Sequence, residues 1–387
     1  MDRLVYADNS ATTRIDDEVF KAMTPWLTEG YGNASSLYKL GQKAKAAVED
    51  TRKAIAAAFN CDPTELYFTS GGTESDNWAI RGIAKANEKK GKHIITSKIE
   101  HHAVLHTLEA MEKEGYEVTY LDVDSYGMVS PAALAAAIRP DTILVTIMAA
   151  NNEVGTIQPV DKLGAIAFAN KIPFHTDAVQ AVGRAKFDLA EQPIELLSLS
   201  AHKIYGPKGV GLLYVRKGVR IANLIEGGGH ERGKRSGTEN VAGIVGLGKA
   251  IELIYSRFDE ENERLSALRD RLVAGVLRLP DTSLTGHPTE RLPGHASFAI
   301  KYVEGESMIL LLDMAGIAAS SGSACSSGSL DPSHVLMAMG LTHEEAHGSL
   351  RLSLGHFNTE TDVDYILEKL PPIVERLRAM SPLAGKK

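Results

Sequence analysis

Between about residues 60 and 217 the chain repeats one pattern, and that pattern leaves few folds open. Seven short apolar runs appear there: LYFTS (66–70), HIITS (93–97), EVTYLDV (117–123), TILVTIMA (142–149), PFHTDAV (173–179), IELLSLS (194–200) and VGLLYV (210–215). Longer amphipathic stretches such as HAVLHTLEAMEKEG and PVDKLGAIAFANK separate them. Several runs are β-branched and apolar throughout, as strands buried on both faces must be. Pro159 stands where a helix N1 residue is expected. The alternation predicts an α/β sheet, mostly parallel, with helices on both faces. Residues 239–279 then read as a long helical stretch, broken near Arg257–Asp259. After Pro280, strand-like and helical segments mix, ending in a helix from about 361. A second, smaller domain joined through the long helix is the expectation.

Composition narrows the function classes. The chain has 387 residues, a formal charge of −7 and 24% charged side chains. A clustered basic face for nucleic acid is not what such a balance favours. The opening MDRLVYADNSATTR has no apolar stretch of signal-peptide length. No run approaches the roughly 18 apolar residues of a membrane span. Cys61 and Cys325 are the two cysteines, too few for a disulfide framework, so a cytoplasmic, reducing setting is expected.

The chemistry-bearing segments follow predicted strands, and open α/β sheets bind ligands beyond the carboxyl ends of their strands. In TSGGTESDN (69–77), Gly71, Gly72 and Thr73 lead into a helix-like run. Free amides there would cradle a phosphate, although a plain strand–helix turn capped by Thr73 accounts for the segment equally well. In HTDAVQ (175–180), Asp177 ends an apolar strand; it is either a capping or salt-bridged carboxylate or the partner of a pyridinium nitrogen. In SLSAHKIYGPKGVG (197–211), Lys203 follows a buried strand beside Ser200 and His202, a setting for a Schiff-base nucleophile rather than a solvated lysine. In SSGSACSSGS (320–329), Cys325 lies among small polar residues, which suits a reactive thiol better than a structural one. Cys61, in AAAFNCDP, has the blander setting. The histidine pair in IEHHAV (99–104) could stack on a cofactor and move protons or simply start a helix; no zinc-ligand spacing accompanies it, so no metal is expected.

The ordered set SGGTESDN, EHH, NNEVG, HTDAVQ, SAHKIYGPKG, RSGTEN and SSGSACSSGS, with the opening YADNSATT, resembles the cysteine desulfurases of the nitrogen-fixation and iron–sulfur-cluster type. These belong to the class V aminotransferase branch of fold-type I pyridoxal-phosphate enzymes. The resemblance implies a large pyridoxal-phosphate-binding domain over 14–258, and a smaller α+β domain from 1–13 and 259–387 that carries Cys325. Lys203 would hold the cofactor as a Schiff base and move the Cα proton. Asp177 would pair with the pyridine nitrogen, Gln180 with the ring hydroxyl, and Asn152 would sit beside the ring. His101 would stack on the ring and serve in acid–base steps. Gly72, Thr73, Ser200 and His202 would hold the phosphate, joined by Thr238 of a neighbouring subunit, which implies a homodimer. Asn33 and Arg351 would bind the carboxylate of L-cysteine. Cys325 would take the sulfur as a persulfide, leaving L-alanine, and pass it to an acceptor protein such as an iron–sulfur scaffold or a transfer-RNA thiolation protein. The longer form of the Cys325 segment is the one associated with scaffold delivery.

Two departures fall near the expected substrate entrance: Ala34 and Tyr38 in GNASSLY, and His356 where an arginine is common. Within the same fold, an aminotransferase or a lyase acting on selenocysteine is the alternative. Cys325 discriminates, because transamination has no use for that nucleophile. A catalytically inert scaffold would need no Schiff-base lysine.

Overall fold

The computed structural model describes residues 3–322 and 332–381. All seven apolar runs enter one sheet, in the order Leu66–Thr69, Gly211–Val215, Leu196–Ser200, Phe174–Asp177, Thr142–Thr146, His93–Ser97 and Glu117–Leu121. Neighbours pair in parallel except around Gly211–Val215, which is antiparallel to both of its partners. The reason is the connection: residues 201–210 hold only a short 3-10 turn, too little chain for the helical crossover a parallel return needs.

Alternation along each strand feeds two cores. Ile94, Leu144, Leu196 and Leu213 pack with Trp78, Ile83, Val104 and Leu108, from the helices Gly72–Asn87 and His102–Lys113. Their strand neighbours Ile95, Val145, Leu197 and Leu212 face the other way, against Ile55, Phe59, Leu163 and Leu247. That second layer comes from the helices Lys39–Phe59, Val160–Ala169 and Val241–Ser256. Consecutive residues thus serve opposite faces, as the pleat requires.

The long helical stretch is two helices, Val241–Ser256 and Phe258–Val276, with Arg257 (φ −109°, ψ 12°) as the break. The second joins a separate apolar cluster. There the helices Phe258–Val276, Gly305–Met314 and Glu360–Met380 cover a three-stranded antiparallel sheet, ordered Ser349–Ser353, His295–Ile300, Thr282–Leu284. The amino-terminal strand Val5–Tyr6 pairs with Ile317–Ala318, and Val5 and Ala7 belong to this same cluster. Pro159 occupies the N-cap of Val160–Ala169, one position earlier than N1. No helix among the described residues is long and apolar enough to cross a membrane.

Candidate functional site

Because Leu66–Thr69, Leu196–Ser200, Phe174–Asp177, Thr142–Thr146 and His93–Ser97 run the same way, their carboxyl ends meet at one edge of the sheet. A cavity of about 320 Å³ opens there. Gly72 and Thr73 reach it at the start of the helix Gly72–Asn87, after a turn in which Gly71 adopts φ 151°, ψ −177°. That backbone is essentially closed to residues with a Cβ. His101 caps the helix His102–Lys113, its Nδ1 accepting the Ala103 N–H at 3.1 Å. Its proton therefore sits on Nε2.

The run TILVTIMA enters the sheet only as far as Thr146. Beyond it, Met148 and Ala150 become cavity wall, followed by Asn152. The Asn151 side chain holds this turn, its Oδ1 accepting the Glu153 and Val154 N–H groups at 2.8 and 3.0 Å. Asp177 ends its strand at the cavity floor, its Oδ1 accepting the Val179 N–H at 2.9 Å. Ser200, His202 and Lys203 follow the neighbouring strand into the same space.

The amino-terminal segment closes one side. The Lys203 Nζ donates to the Ser10 and Ala11 carbonyls at 2.6 and 2.7 Å, and Gln180 Nε2 donates to the same Ser10 carbonyl at 2.8 Å. Arg351 enters from the smaller antiparallel sheet. Its Nη1 donates to the Asn152 carbonyl and its Nη2 to Asp8, both at 2.9 Å, while its buried Nε has no hydrogen-bond partner. The cavity therefore draws its walls from both the seven-stranded and the three-stranded sheet.

Burial sets the charge states. Asp177 is pushed up to about 6 by burial, against the pull of the Val179 N–H and of Lys203. Asp76, also on the cavity, is driven well above the usual carboxylate range by burial and by Asp177, and its Oδ1 is buried without a hydrogen-bond partner. His101 and His202 are each lowered to about 4, first by burial and then by Lys203, so both are neutral near pH 7. Below the floor, His175 is lowered to about 3 by burial, between Thr146 Oγ1 (2.8 Å) and Ser198 Oγ (2.9 Å).

Ten sequence-predicted residues share this cavity. Gly72, Thr73, Ser200 and His202 are among them; so are His101, Asn152, Asp177 and Gln180, together with Lys203 and Arg351. Asn33 and Thr238 are exposed and not part of its wall; the Asn33 side chain instead accepts the Ser35 N–H at 2.8 Å, bracing its own turn. Cys325 lies outside the described residues. His356 is not part of this cavity's wall. It packs edge-on to Tyr205, with its Nδ1 3.3 Å from Glu261, and lines a separate small cavity. Ala34 is buried and Tyr38 exposed, and neither lines the cavity. Cys61 is half-buried, its thiol raised to about 12 by burial and by Glu65 and Asp62, which leaves it unreactive at neutral pH. Sequence reasoning missed Asp8, Ser10 and Asp76, although each stands inside a motif already singled out. No group of residues able to hold a metal ion occurs among those described.

The aminotransferase class-V family matches residues 5–366. The cysteine desulfurase IscS of Methanosarcina thermophila is 59% identical over 384 residues, covering 99% of this chain and 95% of its own. The cysteine desulfurase IscS of Clostridium botulinum (strain Hall) is 56% identical over 386 residues, covering 99% and 97%. Among solved structures, a NifS-like protein superposes with a TM-score of 0.91 at 42% identity, covering 97% of this chain and 100% of its own. SspA in complex with cysteine superposes at 0.82 and 36% identity, covering 92% and 99%. With a matching family over nearly its whole length and a cavity built where that family's motifs converge, the chain belongs to the aminotransferase class-V family.

Proposed function

We propose that this chain is a cysteine desulfurase, which takes sulfur from L-cysteine, releases L-alanine and carries the sulfur as a persulfide on Cys325. The observation that carries it is the convergence on one cavity of Lys203, Asp177, the start of the helix Gly72–Asn87 and Arg351.

The donor set fits pyridoxal phosphate. Gly72 and Thr73 offer helix-start amides, with Ser200 and His202 beside them, a ready phosphate site. A Cβ on Gly72 would stand 2.7 Å from Val179 Cγ2, so glycine keeps that approach open. Asp177 lies on the floor for a pyridine nitrogen, where a cation would replace the burial cost of its charge. Gln180 would contact the ring hydroxyl, His101 would stack on the ring and Asn152 would sit beside it. When bound, pyridoxal phosphate supplies an electron sink for the pair left at the substrate Cα.

The chain's own groups supply the rest. Arg351 offers a planar fork to the substrate carboxylate; Asn33 would have to leave its turn to assist. Lys203 removes the Cα proton. The Cys325 thiolate attacks the substrate sulfur, so an S–S bond forms as the C–S bond breaks. The electron pair stays with the substrate Cβ, which takes up a proton released by the thiols, and Lys203 returns the proton it took from Cα; His101, neutral and carrying its proton on Nε2, is a hydrogen-bond donor beside them. Cysteine and the enzyme thiol thus become alanine and an enzyme persulfide, with atoms and electrons balanced. Exposed Thr238 is assigned to the phosphate of a second copy, which makes the working unit a homodimer. An acceptor protein, such as an iron–sulfur scaffold, then takes the sulfur.

The test is alanine and sulfide release from L-cysteine by pyridoxal-phosphate-loaded protein with a reductant, beside Cys325→Ala. Equal release of both products, lost in the variant, is expected. An inert reaction, or a variant as active as the parent, would move the assignment to a lyase or an aminotransferase.

A further inference from the structure

The amino-terminal side of the cavity is held from the three-stranded sheet. Ser10 is 7% exposed and presents its carbonyl to Lys203 and Gln180, at 2.6 and 2.8 Å. Its other polar groups face away from the cavity: the N–H donates to Ser353 Oγ at 2.9 Å, and Oγ lies 3.1 Å from His295 Nδ1. Ser353 and His295 stand opposite each other on adjacent antiparallel strands, so they grip one residue from neighbouring positions.

The direction of these bonds is fixed by one carbonyl. His295 Nε2 is 2.9 Å from the Glu153 carbonyl oxygen, which can only accept, so Nε2 carries a proton. Burial lowers His295 to about 3, so the ring is neutral near pH 7 and its Nδ1 is bare. Nδ1 therefore accepts the hydrogen bond from the Ser10 hydroxyl. The ring is seated against Gly155, at φ 79°, where a Cβ would stand 2.7 Å from His295 Cδ2 and 2.8 Å from its Cγ. The bare backbone of that glycine leaves the ring room to reach both partners.

The consequence lies on the cavity side of Ser10. Lys203 Nζ donates to its carbonyl and, at 2.7 Å, to that of Ala11. The amine thus has a defined seat when it is not bonded to the cofactor. Two carbonyl acceptors favour the protonated amine, the form Lys203 takes once it has removed the Cα proton.

On the basis of the cysteine desulfurase function proposed above, we infer that His295 is a positioning residue for proton transfer by Lys203: with Ser353 it clamps Ser10, and the Ser10 and Ala11 carbonyls hold the lysine amine at the substrate Cα. His295 does not line the cavity and makes and breaks no covalent bond. It acts on the step in which the Cα–H bond breaks, the electron pair stays with the substrate and Nζ takes the proton.

Exchange of the L-alanine Cα proton with deuterated water, followed by NMR on the pyridoxal-phosphate-loaded enzyme, reads that step without the thiol. His295→Gln keeps a donor toward Glu153 but removes the acceptor for Ser10, and is expected to lower exchange by about 10- to 100-fold, the scale of a 1 Å misplacement. His295→Asn, whose Oδ1 can stand in for Nδ1, is expected to keep most of the exchange rate. Ser10→Ala, a milder change made from the other side, is expected to match His295→Gln, and the pair together to cost no more than either alone. Absorbance titration of the cofactor-free variants with pyridoxal phosphate is expected to give affinities within about twofold of the parent, the span of ordinary surface substitutions, because the phosphate cradle and Asp177 are untouched. Nitrogen-15 NMR of the cofactor-free chain at neutral pH is expected to show His295 protonated at Nε2 alone. Unchanged exchange in His295→Gln and Ser10→Ala overturns the inference, as does a proton on Nδ1. A parallel fall in cofactor affinity, or an Asn variant as impaired as the Gln variant, makes His295 a structural residue and overturns it too. Lys203→Ala separates the two claims: if alanine still exchanges without Lys203, the part given to Lys203 in the proposed function has failed; if exchange needs Lys203 and ignores His295, only the role of His295 has.

Discussion

Arg351 is a buried guanidinium whose charge is balanced inside the chain before any substrate arrives. Its side chain is 3% exposed and pairs with Asp8 at 2.9 Å, and a lone buried charge would otherwise cost several kcal/mol. The Asn152 carbonyl fixes Nη1, so the group reaches the cavity already oriented. Arg351→Lys keeps the charge and loses the planar fork. Steady-state kinetics of the variant are expected to give a KM for L-cysteine raised by about 10- to 100-fold, with a smaller change in kcat, as loss of a contact made equally to substrate and transition state should. A fall confined to kcat would place Arg351 elsewhere in the reaction.

At the scale of elements, the segment leading to Thr238 rests on a buried ion pair. Glu231 and Arg232 are consecutive non-glycine residues at positive φ, 47° and 58°. Such a backbone persists only where its surroundings hold it. Here Glu231 accepts both Arg52 Nη groups at 2.8 Å and the Phe68 N–H at 2.9 Å. Three residues further on, Arg235 clamps Glu74, in the first turn of the helix Gly72–Asn87, at 2.7 and 2.9 Å. The chain bearing Thr238 is thus tied to the same helix whose start lines the cavity. Arg52→Met strands the Glu231 carboxylate and is expected to cost about 3–5 kcal/mol, read as a lower urea midpoint at unchanged slope. A variant within about 0.5 kcal/mol of the parent, the range of ordinary surface changes, would mean that the pair does not support the fold.

For the whole molecule, burial of ionisable groups predicts how stability follows pH. His175 and His295 are each lowered to about 3 by burial, so on acidification the unfolded chain takes up protons that the folded chain does not. Their contribution is present above about pH 6.5 and is lost as the pH falls toward 3. Glu100 and Glu153 behave oppositely, raised by burial to about 8 and about 7. The folded chain keeps their protons longer, so that contribution is full below about pH 4.5 and is lost as the pH rises from there through about 7 and about 8. The two histidine and the two glutamate contributions offset one another between about pH 4.5 and 6.5, so urea midpoints measured across pH are expected to be highest on that plateau and to fall on either side of it. A profile rising steadily to pH 9 would count against burial raising these two carboxylates.

Local pattern determined a good deal of this protein. Runs such as HIITS and IELLSLS announced strands because a doubly buried strand reads as a short, mostly apolar run rather than an alternating one, and Lys203, Asp177 and His101 were legible because each sits where such a strand gives way to small or polar residues. Antiparallel insertion of Gly211–Val215 was not legible, since strand direction depends on what a connection can span rather than on the composition of the run. The tail of TILVTIMA looked like strand but leaves the sheet, with Met148 on the cavity wall between the core residues Ile147 and Ala149, because apolar residues serve a pocket as well as a sheet. Asp8 carries no local mark of its ion pair with Arg351, 343 residues away, and nothing in GHFNTE marks the contacts of His356 with Glu261 and Tyr205. Glu153 reads as one more polar residue in NNEVG until Gly322 and Ser333 come to rest beside it. Sequence alone determined element types and motifs, which depend on neighbours a few residues apart. Tertiary structure decided which buried charges meet, because desolvation and pairing depend on distances in space that the order of residues does not contain.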